Sequence, residues 1–138
     1  DMDFACVLNP NIHRLLDTLQ EQGIKTAIAS SSSIELINKM KRECQLENYF
    51  DITVSGNQFK ESKPNPEIFL YTAKQLGQLP EECIVIEDSP IGIQAGKSAG
   101  MLVVAKKDDT FGMDQSQADF LIDDLIEILD IYNQIKTP

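Results

Sequence analysis

Residues 83–105 read CIVIEDSPIGIQAGKSAGMLVVA. Cys83-Ile84-Val85-Ile86 is a short apolar run of the kind that forms a buried strand, and Glu87-Asp88 halt it. Ser89 is placed to cap a helix and Pro90 to occupy its first position, where the missing N–H costs nothing. Leu102-Val103-Val104-Ala105 is a second apolar strand. A strand, a helix of about ten residues and another strand form a crossover unit, which implies a parallel sheet.

The same alternation extends in both directions. Upstream, Ile12, Leu15, Leu16 and Leu19 recur at helical spacing, and Gly23 ends the pattern. Ile24 to Ala29 form an apolar strand that runs into Ser30-Ser31-Ser32-Ser33, and Ile34, Ile37 and Met40 mark the next helix. Ile52-Thr53-Val54 is a short strand, followed by a polar loop through Lys63. Pro64 and Pro66 precede a helix carrying Ile68, Phe69, Ala73 and Leu76, which Gly77 closes. Downstream, Phe120-Leu121-Ile122 is a last strand, and a helix from about Asp123 buries Leu125, Ile128, Leu129 and Tyr132. The reading is one α/β domain, a three-layer doubly wound parallel sheet with helices on both faces.

Composition narrows the function. The chain has 138 residues, 42% of them hydrophobic, which suits one folded domain and not a disordered segment. A formal charge of −10 argues against a nucleic-acid or anionic-membrane partner, because either would call for a basic patch. Most of the excess lies in residues 108–138, with 1 basic and 8 acidic side chains, and reads as a solubilising face. No stretch approaches the roughly 18–20 apolar residues that span a bilayer. The three cysteines are odd in number and far apart, matching neither a disulfide framework nor a zinc knuckle, so a reduced, cytoplasmic setting is expected. His13 falls inside an apolar helical pattern and reads as structural. The segment DDTFGMDQSQAD lacks the spacing of a calcium loop.

In doubly wound folds, ligands bind beyond the carboxyl ends of the strands. Three polar groups fall there: Ser30 to Ser33 after the first strand, Lys63 after the second, and Glu87-Asp88 after the third. Singly, each has a plainer explanation as a cap, a solvated lysine or a helix-dipole partner. Together, hydroxyl and N–H donors suit a phosphate, and a lysine supplies compensating charge. Two adjacent carboxylates at a buried strand end repel, and a hard divalent cation would relieve that cost. The combination points to Mg²⁺-assisted phosphoryl chemistry. Gly92, Gly96 and Gly100, spaced every fourth residue, would let their helix lie close to the sheet and hold the Glu87-Asp88 turn.

The segments IKTAIASSS, FKESKPNPEIF and CIVIEDSPIGIQAGKSAGM, in this order, resemble the haloacid dehalogenase (HAD) superfamily, and within it the β-phosphoglucomutase-like branch. The resemblance spans about residues 10–105 and implies a HAD-like Rossmannoid core. It implies that Ser30 and the N–H of Ser31 bind the transferring phosphoryl group, with Ser32 holding a more distal part of the substrate. Lys63 would neutralise phosphoryl charge and orient the nucleophile, while Glu87 and Asp88 would hold Mg²⁺, Asp88 the more direct ligand. An aspartate in this chemistry attacks phosphorus to give an aspartyl-phosphate, discharged by water or a second substrate. The substrate would be a small phosphorylated metabolite, and phosphatase and phosphomutase share these residues.

One motif departs from the pattern. The nucleophile belongs to an Asp-x-Asp-Gly-Thr or -Val sequence after an apolar strand. Asp1-Met2-Asp3 is followed by Phe4-Ala5, and only 26 residues separate Asp3 from Ser30, too few for the family's helical cap. Residues 1–10 instead resemble the return from cap to core. The expectation is therefore a single core domain over 1–138, the C-terminal part of a longer enzyme, with the helical cap and nucleophile strand absent from this chain. Chain exchange, or a missing N-terminal segment, would then complete the sheet. The alternative is a non-catalytic binding or assembly fragment. A phosphoacceptor receiver domain is set aside, because there the acidic pair follows the first strand and the lysine comes late.

Overall fold

The structure is a computed structural model that describes residues 11–136. The elements follow the expected order: α1 (Ile12–Glu21), β1 (Ala27–Ser30), α2 (Ile34–Glu43), β2 (Ile52–Ser55), α3 (Glu67–Leu76), β3 (Ile84–Glu87), α4 (Pro90–Ser98), β4 (Leu102–Lys106), β5 (Phe120–Ile122) and α5 (Ile128–Lys136). Every pairing is parallel. The strands form two sheets, β1-β2 and β3-β4-β5. Among the described residues, no strand joins β1 to β3.

What holds the two sheets side by side is helix packing. On one face, α3 and α4 bring Ile68, Phe69, Ala73, Ile93 and Ala95 against Val54 of β2 and Val85, Val103 and Ala105 of the second sheet. On the other face, α1 serves both sheets. Its Leu15 and Leu19 pack with Val104, Ile122, Ile128 and Ile131. Its Leu16 packs with Met40, Cys44 and Leu46, and Ile28 of β1 leans on the same group. Successive residues of β4 alternate between these layers, as period-two geometry requires. The result is the expected three-layer α/β architecture.

Ile86 breaks the pattern. Its neighbour Val85 is buried, yet Ile86 is 41% exposed in the middle of a strand. It sits on the strand whose outer edge has no partner among the described residues.

Local chemistry fixes the element ends. Ser33 accepts the N–H of Leu36 and caps α2, and Ser89 accepts the N–H of Gly92 and caps α4 with Pro90 inside the first turn. Gly77 ends α3 with φ +71°, a conformation open to glycine at little cost. Two expected bounds shift. The first strand begins at Ala27 and not at Ile24, because Lys25 turns aside to Leu76 O and the Thr26 hydroxyl donates to Tyr49 O. The last helix begins with a 3₁₀ turn, Leu125–Glu127, and becomes α-helical at Ile128. Asp124 accepts the Ile126 N–H and the Glu127 carboxylate takes the Asp124 N–H, a reciprocal cap that tightens this entry.

Cys83 is a free thiol. Burial, then the charges of Glu82 and Glu81, push the Cys83 thiol up, away from a reactive thiolate. No helix among the described residues is long and apolar enough to cross a membrane. The segment 1–10, expected as a cap-to-core return, lies outside the described residues.

Candidate active site

The carboxyl ends of the strands are level: Ser30 pairs in register with Ser55, and Glu87 with Ala105. Within each sheet the strand ends are thus in register, and the reach of one lysine to both Ala29 O and Glu87 sets the serine loop and the acidic pair along one rim. The β2–α3 loop brings Lys63 across to them.

Lys63 is the centre of this rim. Its Nζ donates to Glu87 Oε2 at 2.6 Å and to Ala29 O at 3.3 Å, and lies 4.9 Å from the centre of the Phe69 ring. The two charged side chains are only 11% and 14% exposed. The lysine thus bridges the exit of β1 to the exit of β3, across the place where the two sheets do not pair. A nearly buried pair of this kind is costly to break, because removing one partner strands the other charge.

Glu87 fits this position because residue 92 is glycine. A β-carbon there would stand 2.8 Å from Glu87 Oε2 and closer still to Oε1 and Cδ. Gly96, one turn on, is needed for a different reason. A β-carbon at that position would press on Val103 Cγ2 at 2.7 Å. Gly96 does hold the helix close to the sheet and Gly92 makes room for a site carboxylate, but Gly100 plays no such part: it lies beyond the end of α4 with φ +80° and no tight neighbour.

Asp88 has a different environment from Glu87. Its side chain is exposed and has no hydrogen-bond or ion-pair partner among the described residues. The adjacent carboxylates are therefore not left to repel each other in a buried space. One is neutralised by Lys63 and the other opens to solvent. Among the described residues, no three His, Cys, Asp or Glu side chains gather as a ready-made metal cluster. A free carboxylate at a strand end suits Mg²⁺, which keeps several waters and takes one or two protein carboxylates with phosphate oxygens.

The serine loop divides its tasks. Ser33 is the helix cap. Ser30 Oγ accepts the N–H of Ser32 at 3.1 Å, which folds the loop into a tight turn and leaves the hydroxyl hydrogen available. Ser31 is exposed. Two further residues shape this turn. Ser55, 6% exposed, donates to Ser32 O at 2.6 Å. Gly56 lies so close that a β-carbon would be 3.0 Å from Ser31 Cα. Both were absent from the sequence reading, although Ser-Gly directly after a strand in such a fold was a signal for them.

Gln115 was also missed. It is 9% exposed, and its amide joins the acidic turn to the end of β4. No local pattern marks it.

A family model for haloacid dehalogenase-like hydrolases matches residues 4–106, and the chain belongs to that family. Among its relatives, a phosphorylated carbohydrates phosphatase of Thermotoga maritima is 40% identical over 93 residues, covering 67% of this chain and 43% of that protein. A phosphoglycolate phosphatase of Aquifex aeolicus is 38% identical over 91 residues, covering 66% and 43%. In structure, the chain resembles β-phosphoglucomutase from Clostridium difficile, with TM-score 0.78 and 30% identity, over 93% of this chain and 57% of that one. CbbY from Rhodobacter sphaeroides, solved in complex with phosphate, gives TM-score 0.80 and 28% identity, over 87% and 55%. The chain therefore spans about half the length of the proteins it matches.

Proposed function

We propose that this chain is the phosphate- and metal-handling part of an Mg²⁺-dependent phosphatase or phosphomutase that acts on a small phosphorylated metabolite through an aspartyl-phosphate. The observation that carries this reading is Lys63, held between Ala29 O and Glu87 on the rim where two parallel sheets lie unpaired. A phosphatase of phosphorylated carbohydrates and one of phosphoglycolate among the relatives support the substrate class.

In this proposal the Ser30 hydroxyl and the Ser31 N–H hydrogen-bond phosphoryl oxygens, and Ser32 reaches a more distal part of the substrate. The Lys63 ammonium faces the same oxygens and offsets the charge that spreads over them during transfer. Glu87 keeps Lys63 extended to that point, and Asp88 holds the cation. Mg²⁺, when bound, would draw phosphoryl and carboxylate oxygens together and lower their mutual repulsion. The nucleophile comes from a strand upstream of residue 1, seated between β1 and β3, where it would also cover Ile86. Its carboxylate forms a bond to phosphorus as the substrate oxygen leaves, and water or a sugar hydroxyl then takes the phosphoryl group and restores the carboxylate.

The test is Mg²⁺-dependent hydrolysis of a simple aryl phosphate by the complete protein. Lys63→Ala and Asp88→Ala should each lower kcat by about 100-fold or more, the scale of losing a preorganised charge in a transition state. Asp88→Ala should keep its circular dichroism spectrum and urea midpoint, whereas Lys63→Ala, which strands Glu87, should keep the spectrum with a lowered midpoint, and its turnover is compared under conditions where it is folded. Near-normal turnover in either one would sink the assignment, and no turnover by the complete protein would favour a binding or assembly role.

A further inference from the structure

Gln115 lies outside the strand-end motifs, yet its side chain is fully committed. Its Nε2 donates to Asp88 O at 2.9 Å and to Lys106 O at 2.8 Å, and its Oε1 accepts the Asp108 N–H at 3.0 Å. Both amide hydrogens are thus spent on carbonyls at the ends of neighbouring strands β3 and β4. The side chain is 9% exposed, so these groups have little access to replacement water.

The segment bearing Gln115 is itself braced. The Asp108 carboxylate accepts the N–H groups of Thr110, Phe111 and Met113 at 2.8–3.2 Å. Asp88, by contrast, stands between the end of β3 and the Ser89 cap with a side chain that touches no partner among the described residues. Its direction therefore depends on its backbone, and the Asp88 carbonyl is held by Gln115.

We propose that Gln115 is a positioning residue for the cation site: it fixes the Asp88 backbone and thereby aims the Asp88 carboxylate. This rests on Asp88 as the Mg²⁺ ligand. Loss of an outer partner of a metal ligand commonly weakens metal binding by about 10–100-fold. Gln115→Met keeps the length of the side chain and removes all three hydrogen bonds. Gln115→Asn keeps the amide but is one methylene too short to reach both carbonyls, and it serves if Gln115→Met does not fold.

The experiment is calorimetric titration of the complete protein with Mg²⁺, in the parent, Gln115→Met, Gln115→Asn and Asp88→Asn, with urea midpoints measured alongside. The expected result is a Kd for Mg²⁺ raised about tenfold or more in the Gln115 variants. Turnover should be restored by excess Mg²⁺, with KM for an aryl phosphate at saturating Mg²⁺ near the parent value. A residue with a merely structural role would lower the urea midpoint and leave the Kd within about twofold, and that result overturns the proposal. If Asp88→Asn loses Mg²⁺ while the Gln115 variants keep it, only the role of Gln115 falls. If Asp88→Asn binds Mg²⁺ as the parent does, the assignment of Asp88 falls and the role of Gln115 with it.

Discussion

Replacing Gly92 with alanine should destabilise the protein, against the usual preference of a helix for alanine. In an ordinary helix the change would stabilise by up to about 1 kcal/mol. Here the new methyl group would enter the space of the Glu87 carboxylate, 2.8 Å from Oε2 and nearer to Oε1 and Cδ. Glu87 is the flexible partner and must turn away, which breaks its 2.6 Å contact with Lys63. A charge-assisted hydrogen bond contributes about 1.5–3 kcal/mol, so the net loss should be about 1–2 kcal/mol. The assay is equilibrium urea unfolding of Gly92→Ala in two backgrounds, the parent and Glu87→Ala. With the carboxylate already gone, Gly92→Ala should be neutral or slightly stabilising, which gives a coupling of about 2 kcal/mol in the cycle. An equal effect of Gly92→Ala in both backgrounds would refute the reasoning.

Three other outcomes are expected. Gly96→Ala should cost about 1–3 kcal/mol in urea unfolding by overpacking against Val103, and it should do so equally with or without Glu87. Ser55→Ala should cost about 1 kcal/mol by freeing Ser32 O; in the complete protein KM for an aryl phosphate should rise as the serine loop loosens, and an unchanged KM would remove Ser55 from the account. Burial alone would raise the Asp119 carboxyl, but hydrogen bonds from Lys97 and the Val103 N–H and the charge of Lys97 outweigh it and hold the group below its ordinary value. Its stabilising effect is therefore complete above the ordinary aspartate range and is lost as pH falls through the lowered value. Melting curves from about pH 7 to about pH 3 should show Asp119→Asn less stable than the parent at neutral pH, with the gap closing in acid. A constant gap would contradict this.

Much of the fold was legible because burial and period coincide. The run Leu102-Val103-Val104 announces a strand because both faces of its sheet are covered, Ile84-Val85-Ile86 does so by its apolar run although Ile86 is left exposed, and Ser89-Pro90 marks the start of α4 by its own chemistry. Among the described residues the strands form two separate sheets, with no strand joining β1 to β3. The start of β1 was less legible because it depends on tertiary partners, Leu76 and Tyr49 drawing Lys25 and Thr26 out of the strand, whereas the 3₁₀ entry of α5 comes from a local reciprocal cap that apolar periodicity does not reveal.

The site was legible where chemistry sits at strand ends. What sequence could not supply was the division of labour. Glu87 and Asp88 look alike in sequence, and only the position of Lys63 separates the neutralised carboxylate from the open one. Gln115 was hidden for a stronger reason. Its partners Asp88 and Lys106 lie 27 and 9 residues away, and nothing in DDTFGMDQSQAD distinguishes this glutamine from Gln117.

The most direct test of the central claim is to trap the phosphorylated protein. The complete protein would be incubated with a radiolabelled phosphate ester and Mg²⁺, quenched in acid and digested, and the labelled residue mapped. The account predicts an acyl phosphate on an aspartate upstream of residue 1, lost in Lys63→Ala. Label on Asp1 or Asp3 would overturn the dismissal of the N-terminal acids, and label on a serine or on His13, or none at all during turnover, would contradict the proposed mechanism.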